Sequence, residues 1–405
     1  MADTANRVAL YASVGPELTH YDVDVEAATL TRRGTVALPA NVHYCWPHAS
    51  RPILYVASSD SDSGVGGRVG QNHHVTALAI DKATGALAAH GAPIALPTRP
   101  IHMTTDIPSE YILVAFSNPS GLRVYRVNQD GTPGPEVEQP QAIDPGIYGH
   151  QVRVRPDNRK VILVARGHDA AVGLQPSGLS RGGKPEEPGS LKVFDFKDGQ
   201  LTNEVSVAPN GGYGFGPRHL DFHPTRPWVY VALERQNRLD MFAFDGNGAL
   251  SPEADYRITT LDEPHNIRGR QVVGTVHVHP SGRTVYVANR ASSTTEANGE
   301  RVFVGGENSL AVFGIDPRTG APQPIQHVDT RGIHCRTFHI DPSGRLLVAA
   351  HIMGLPVRQA GGEIRFVPAC LSLFRIGSNG KLEFVRKYDV DVGDRTMWWM
   401  GMVAL

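Results

Sequence analysis

The chain alternates short apolar runs with brief polar turns and almost never spaces its apolar residues at helical intervals. One phrase recurs: a short strand, a Pro- or Asp-containing turn, then an apolar strand ending in small or polar residues. It reads HLDFHPTRPWVYVALE at His219–Glu234, VHVHPSGRTVYVANR at Val276–Arg290 and TFHIDPSGRLLVAAH at Thr337–His351. Looser copies stand at Tyr44–Ser58, His102–Phe116 and Gln151–Arg166. A strand ending in an acidic turn follows, as at Leu191–Asp198, Leu239–Asp245 and Leu310–Asp316. Next comes a dipeptide such as Thr84-Gly85, Asp130-Gly131 or Asn379-Gly380, whose residues tolerate positive φ and close hairpins. A weaker fourth strand completes the unit.

Four antiparallel strands per unit, with turn prolines Pro156, Pro224, Pro280 and Pro342 separated by 68, 56 and 62 residues, predict the blades of a propeller. Without helices to alternate with the strands, an α/β fold is excluded. A β-sandwich or two separate β domains are the bland alternatives. Six full copies plus a split one give an all-β, seven-bladed β-propeller spanning residues 1–405 as a single domain. The N-terminal stretch Val8–Leu38 supplies only three strands, and Met397–Leu405 is the expected innermost fourth. Joining the chain ends in this way closes the ring and removes an exposed sheet edge.

Antiparallel pairing puts the start of a blade's first strand and the end of its second on the same rim. The starts read His43-Tyr44, Ile101-His102, His150-Gln151, Arg218-His219, Gly274-Thr275 and Arg336-Thr337. The ends include Arg166-Gly167-His168-Asp169, Glu234-Arg235, Asn289-Arg290 and His351. Imidazole, guanidinium and carboxylate groups from six blades therefore gather at one mouth of the central channel. The longest loops, Ser61–His73, His168–Ser190, Ala291–Asn308 and Ile352–Ala369, emerge there too, and their Gly, Ser and Pro content predicts a mobile cover. Propeller channels are often polar and water-filled, so any one of these side chains could merely satisfy backbone groups. The convergence of several points instead to a small-molecule site.

Composition narrows the partners. Lys+Arg is 39 and Asp+Glu is 40, a balance that excludes the basic excess expected of a nucleic-acid or membrane-surface binder. Cys45, Cys335 and Cys370 are too few and too scattered for a disulfide framework or a metal knuckle. The first residues lack the basic-then-apolar pattern of a signal peptide, and no apolar run reaches membrane-spanning length, so the expectation is a cytoplasmic protein. His277-Val-His279 could hold Zn²⁺, but position 279 falls at the far hairpin, where turn packing is the simpler role. Asp60-Ser-Asp-Ser-Gly64 starts like a calcium loop but has Gln71 at its twelfth position, so it reads as a solvated loop. The glycines of Gly64–Gly70 open no helix and suggest no nucleotide. Trp398-Trp399 reads as core packing.

Gly216-Pro-Arg-His-Leu-Asp-Phe-His-Pro224 followed by Trp228-Val-Tyr-Val-Ala-Leu-Glu234 resembles the seven-bladed lactonase family, as do Gly149-His150-Gln-Val, His279–Arg290 and Cys335–Gly344. That family includes bacterial propeller-type 6-phosphogluconolactonase and fungal 3-carboxy-cis,cis-muconate cyclase. The likeness covers nearly the whole chain. It implies an active site at the channel mouth built from a His, two Arg and a Glu, which map onto His150, Arg218, Glu234 and Arg290. Arg336, His219, His102, His43 and His351 would surround the substrate. Arg166 stands where the family more often carries an acidic residue.

Opening a lactone needs an activated water and a stabilised oxyanion. His150 is the expected base, or the proton donor for ring closure. Arg218 and Arg290 would grip a carboxylate or phosphate, and Glu234 would orient them or act as base if burial raises its pKa. The expected partner is a small anionic lactone or open diacid, with no cofactor or metal, in a monomer or small homo-oligomer. A lactone hydrolase leads. A muconate-type cycloisomerase uses the same residues, and a non-catalytic binding module predicts a filled channel.

Overall fold

The computed structural model describes residues 7–62, 67–168, 185–297 and 299–405. Among these, seven antiparallel sheets follow one another along the chain, six of four strands and one of five, with an eighth small sheet besides. Each sheet runs from an inner strand to an outer one in sequence order, as in Pro217–Phe222, Trp228–Leu233, Arg238–Ala243 and Tyr256–Thr259. The exception is the first, where Met400–Ala404 takes the inner place and pairs antiparallel with Val8–Val14. No sheet closes on itself.

The second strands carry the longest apolar runs because both of their faces are covered. Apolar residues of adjacent sheets form separate layers: Leu113 and Val152 in one, Val164 and Leu220 in the next, Tyr230 and Val276 beyond it. Val348 and Leu371 of the last sheet pack with Leu10 and Met402 of the first. The repeated tyrosine of the second strand serves the same joints. Tyr230 donates its hydroxyl to Gly320 O (2.8 Å), Tyr286 to Gly380 O (2.8 Å) and Tyr55 to Gly131 O (2.9 Å). The receiving residue is the glycine of the neighbouring blade's hairpin, held at positive φ. His223 and His279 bond Gly282 O and Gly344 O in the same way, so His279 packs a turn.

Two of the four long loops, expected as mobile covers, hold strands of their own. Thr294–Ala297 and Glu300–Phe303 form one hairpin, Leu355–Arg358 and Ile364–Val367 another, and Phe303 meets Val357 in a parallel bridge. That bridge joins loops of two blades, which loop composition alone does not reveal. Most of His168–Ser190 and part of Ser61–His73, including the Gly64–Gly66 glycines, lie outside the described residues. Asp60 of the calcium-like stretch spends its carboxylate on Asn72 N and Nδ2.

Candidate active site

One backbone device builds the site. In six inner strands the pairing register slips where the strand enters the sheet. The extra residue is His43, Ile101, His150, Arg218 or Arg336 in five of them, and Gly274-Thr275 in the sixth. A bulged residue leaves the alternation of its strand and is re-aimed. Ile101, His150, Arg218 and Arg336 accordingly line one cavity of about 360 Å³, together with Glu234 and Arg290 from second strands. His150, Arg218, Glu234 and Arg290 thus share one mouth, and an open cavity lies between them.

Glu234 is the electrostatic centre. Its Oε2 accepts from Arg166 Nη1 at 2.5 Å, its Oε1 accepts from Arg290 Nη2, and Arg218 Nε lies 3.2 Å from Oε1. Burial pushes this carboxyl up, but Arg166, Arg290 and Arg218 together overcome it and hold the group well below the usual carboxylate range. Glu234 is therefore an anion that anchors three guanidiniums, which removes the raised pKa that a base role requires. Arg166 also stacks on Tyr148, 4.3 Å from the ring centroid. Burial, then the cationic Arg290 and Arg336, destabilise the charge of Arg218, whose Nη1 finds no hydrogen-bond partner.

His150 is 5% exposed, and its Nδ1 has no partner. Burial and then Arg218 lower its pKa well below the ordinary histidine value, so the ring is neutral near pH 7 and can accept a proton. His334 is a further wall residue. Arg290 Nη1 donates to its Nε2 (2.9 Å), which leaves Nδ1 to donate to Ser292 Oγ (3.0 Å). Burial and Arg290 keep this ring neutral as well.

The structure places four expected substrate contacts away from the cavity wall. His219 and His102 follow their bulged neighbours and turn down the channel. The His150, His219 and His102 rings succeed one another at 5.3 and 5.8 Å, and His102 stacks 3.9 Å from Tyr44, which borders the opposite mouth. His43 sits edge-on to Trp398 at 5.9 Å, behind the wall. His351 is fully buried between strands, with its Nδ1 3.0 Å from Cys370 O. Its position ends a strand, but the strand runs on to Met353, which buries it. Trp398 is not simply core, because it lines the cavity and Arg336 lies 3.7 Å over its ring. Trp399 does pack in a core layer.

Sequence reading missed Arg99, His334 and Tyr148. Tyr148 and His334 each stand two residues before a bulged residue, and both have φ of 58°. That spacing was the available signal. Among the described residues, no group of three or more His, Cys, Asp or Glu side chains could hold a metal ion. Among the same residues, no helix is long and apolar enough to cross a membrane.

A model of the family described as "Lactonase, 7-bladed beta-propeller" matches residues 8–174 and 189–353. A 6-phosphogluconolactonase of Bacillus subtilis is 26% identical over 354 residues, covering 85% of this chain and 87% of that protein. One from Cronobacter sakazakii is 27% identical over 329 residues, 80% of each chain. The solved periplasmic gluconolactonase of Pseudomonas aeruginosa superposes with a TM-score of 0.71 at 21% identity, over 98% of this chain and 99% of that one. That structural likeness concerns the fold.

Proposed function

Because the chain belongs to the seven-bladed β-propeller lactonase family, we propose that its cavity hydrolyses a carboxylate- or phosphate-bearing lactone, of the kind named by its 6-phosphogluconolactonase relatives. The observation that carries this reading is the Glu234 carboxylate anchoring Arg166, Arg218 and Arg290 beside a neutral His150. The ring is taken to close through Met400–Ala404, in support of which the first and last sheets share a strand pairing and a core layer.

In the proposed reaction, a water oxygen attacks the lactone carbonyl carbon while His150 takes the water proton. The carbonyl electrons move to oxygen, and the new oxyanion is met by Arg218 and Arg290, held in place by Glu234. The tetrahedral species collapses, the ring C–O bond breaks, and the departing alkoxide takes the proton back from His150. The product is the open hydroxy acid, and every group on the enzyme returns to its starting state. Neutral His150 suits the first step, because a protonated ring could accept nothing. Lactones should be opened while muconates are turned over little or not at all, since the named relatives are hydrolases. Assaying a lactone panel beside a muconate panel tests the direction, and turnover of muconates alone would reverse it. A filled channel, the mark of a pure binding module, is at odds with the open cavity. Cys45, Cys335 and Cys370 are free and buried, which supports the placement in a reducing compartment such as the cytoplasm.

A further inference from the structure

Among the described residues that line the cavity, the arginines outnumber the single carboxylate of Glu234. Arg166, Arg218 and Arg290 belong to the Glu234 cluster, on the blades that contribute residues 149–291. Arg99 and Arg336 line the same cavity from the two sheets that flank this group, one before it and one after it along the chain. Arg99 is 6% exposed and Arg336 8%. Neither has a carboxylate within ion-pair distance among the described residues. Arg99 Nη1 makes one long bond to Ser117 Oγ (3.4 Å), while its Nε and Nη2 have no partner. Arg336 spends Nε on Trp398 O (3.1 Å) and lies flat on the Trp398 ring, which fixes its plane. His43, with both ring nitrogens unpartnered, sits against the same tryptophan. Burial and then the charges of Arg99 and Arg336 hold His43 neutral. Burial and the charges of Arg290 and Arg99 likewise lower Arg336 to about 9.

A buried guanidinium without a counter-ion is costly, and a planar fork fixed by stacking matches an oxyanion. Arg218 and Arg290, by contrast, each have the Glu234 carboxylate as a counter-ion. We propose that Arg99 and Arg336 form an oxyanion-binding pole that fixes the phosphate or carboxylate substituent of the substrate, beside the Glu234 cluster. The lactonase reading is needed only for calling that anion part of a substrate.

The test is calorimetric titration of the full chain with inorganic phosphate and, separately, malonate, in an anion-poor buffer, for wild type, Arg99→Gln, Arg336→Gln and the exposed control Arg318→Ala. At least a tenfold weakening in both cavity variants, with the control unchanged, is expected, and the preferred anion identifies phosphate or carboxylate. Melting supplies a readout that a merely structural arginine would not give. Phosphate should raise the wild-type Tm but not that of Arg99→Gln, and Arg99→Gln alone should melt no lower than wild type. Turnover gives the last arm: Arg99→Gln should lose about 100-fold in kcat/KM on 6-phosphogluconolactone and little on gluconolactone. Loss of phosphate binding in a protein that opens no lactone would overturn the proposed function and leave the pole standing. No anion binding to wild type, or equal binding in all four proteins, would overturn the pole.

Discussion

Replacing Glu234 with glutamine keeps the shape of the side chain and deletes the charge that three guanidiniums share. In the native cavity Arg166 and Arg290 donate to its two oxygens, and Arg218 stands 3.2 Å from one of them. The carboxylate is 5% exposed, so water cannot replace it. Removing one partner of a buried ion pair costs about 3–5 kcal/mol, because the remaining charge stays buried and unpaired. A chain of 405 residues unfolds with an entropy of roughly 0.9 kcal/mol/K, so that loss lowers Tm by about 4–6 °C. Thermal melting in a buffer free of phosphate and carboxylates measures it, since an added oxyanion would partly restore the missing charge. A double-mutant cycle with Arg166→Met isolates the pair, and the second change should cost less in the Glu234→Gln background than in wild type. On the proposed lactone, kcat/KM should fall by about 10²–10³ as the oxyanion donors lose their anchor. A Tm within 1 °C of wild type, with additive single effects, would show that Glu234 does not hold these arginines together.

Further outcomes follow from the same structure. His150 is the base in its neutral form, and burial and Arg218 depress its pKa, so kcat/KM should stay level as pH falls through about 6.5 and decline only in more acidic solution. An acid limb centred at or above that value contradicts the assignment. Stability should also fall with acid. His43, His102, His150, His219 and His334 all have depressed pKa values in the fold, chiefly through burial. The unfolded chain takes up protons first, so their contribution is complete above about pH 6.5 and is lost below it, at about 1.4 kcal/mol per pH unit for each ring. Calorimetry at pH 7 and pH 5 should show a clear drop in Tm, and a flat profile would count against neutral buried rings. Gly320→Ala should destabilise the joint between two blades without touching the cavity. Its φ is +76°, and a Cβ would come within 2.3 Å of Met241 Cε and 2.6 Å of the Trp228 ring. Lower Tm with unchanged kcat is the expected result.

The blades were legible because each strand pair writes its burial into the sequence. Trp228–Leu233 and Thr284–Ala291 are covered on both faces, and WVYVAL and the VYVA within the second read as apolar runs, while the hairpin glycines mark where φ turns positive. The role of Met400–Ala404 was legible from the three-stranded shortfall at the N-terminus. The rim position of His150, Arg218, Glu234 and Arg290 followed from antiparallel pairing alone. What did not follow was which neighbour of each strand-start pair faces the cavity, because a bulge is a slip of register and not a composition. That is why His102 and His219 turned out to line the channel behind Ile101 and Arg218. Arg99 precedes its strand by one residue and carries no pattern of its own. The eighth sheet depends on pairing between loops more than 50 residues apart, which no local periodicity reports.

The most direct test is the hydrolysis rate of 6-phosphogluconolactone by wild type and His150→Ala, corrected for spontaneous opening, with melting curves for both. The account predicts turnover by the wild type, at least a hundredfold less by the variant, and nearly equal Tm values. Equal rates in the two proteins, or no turnover of any lactone by the wild type, would contradict it.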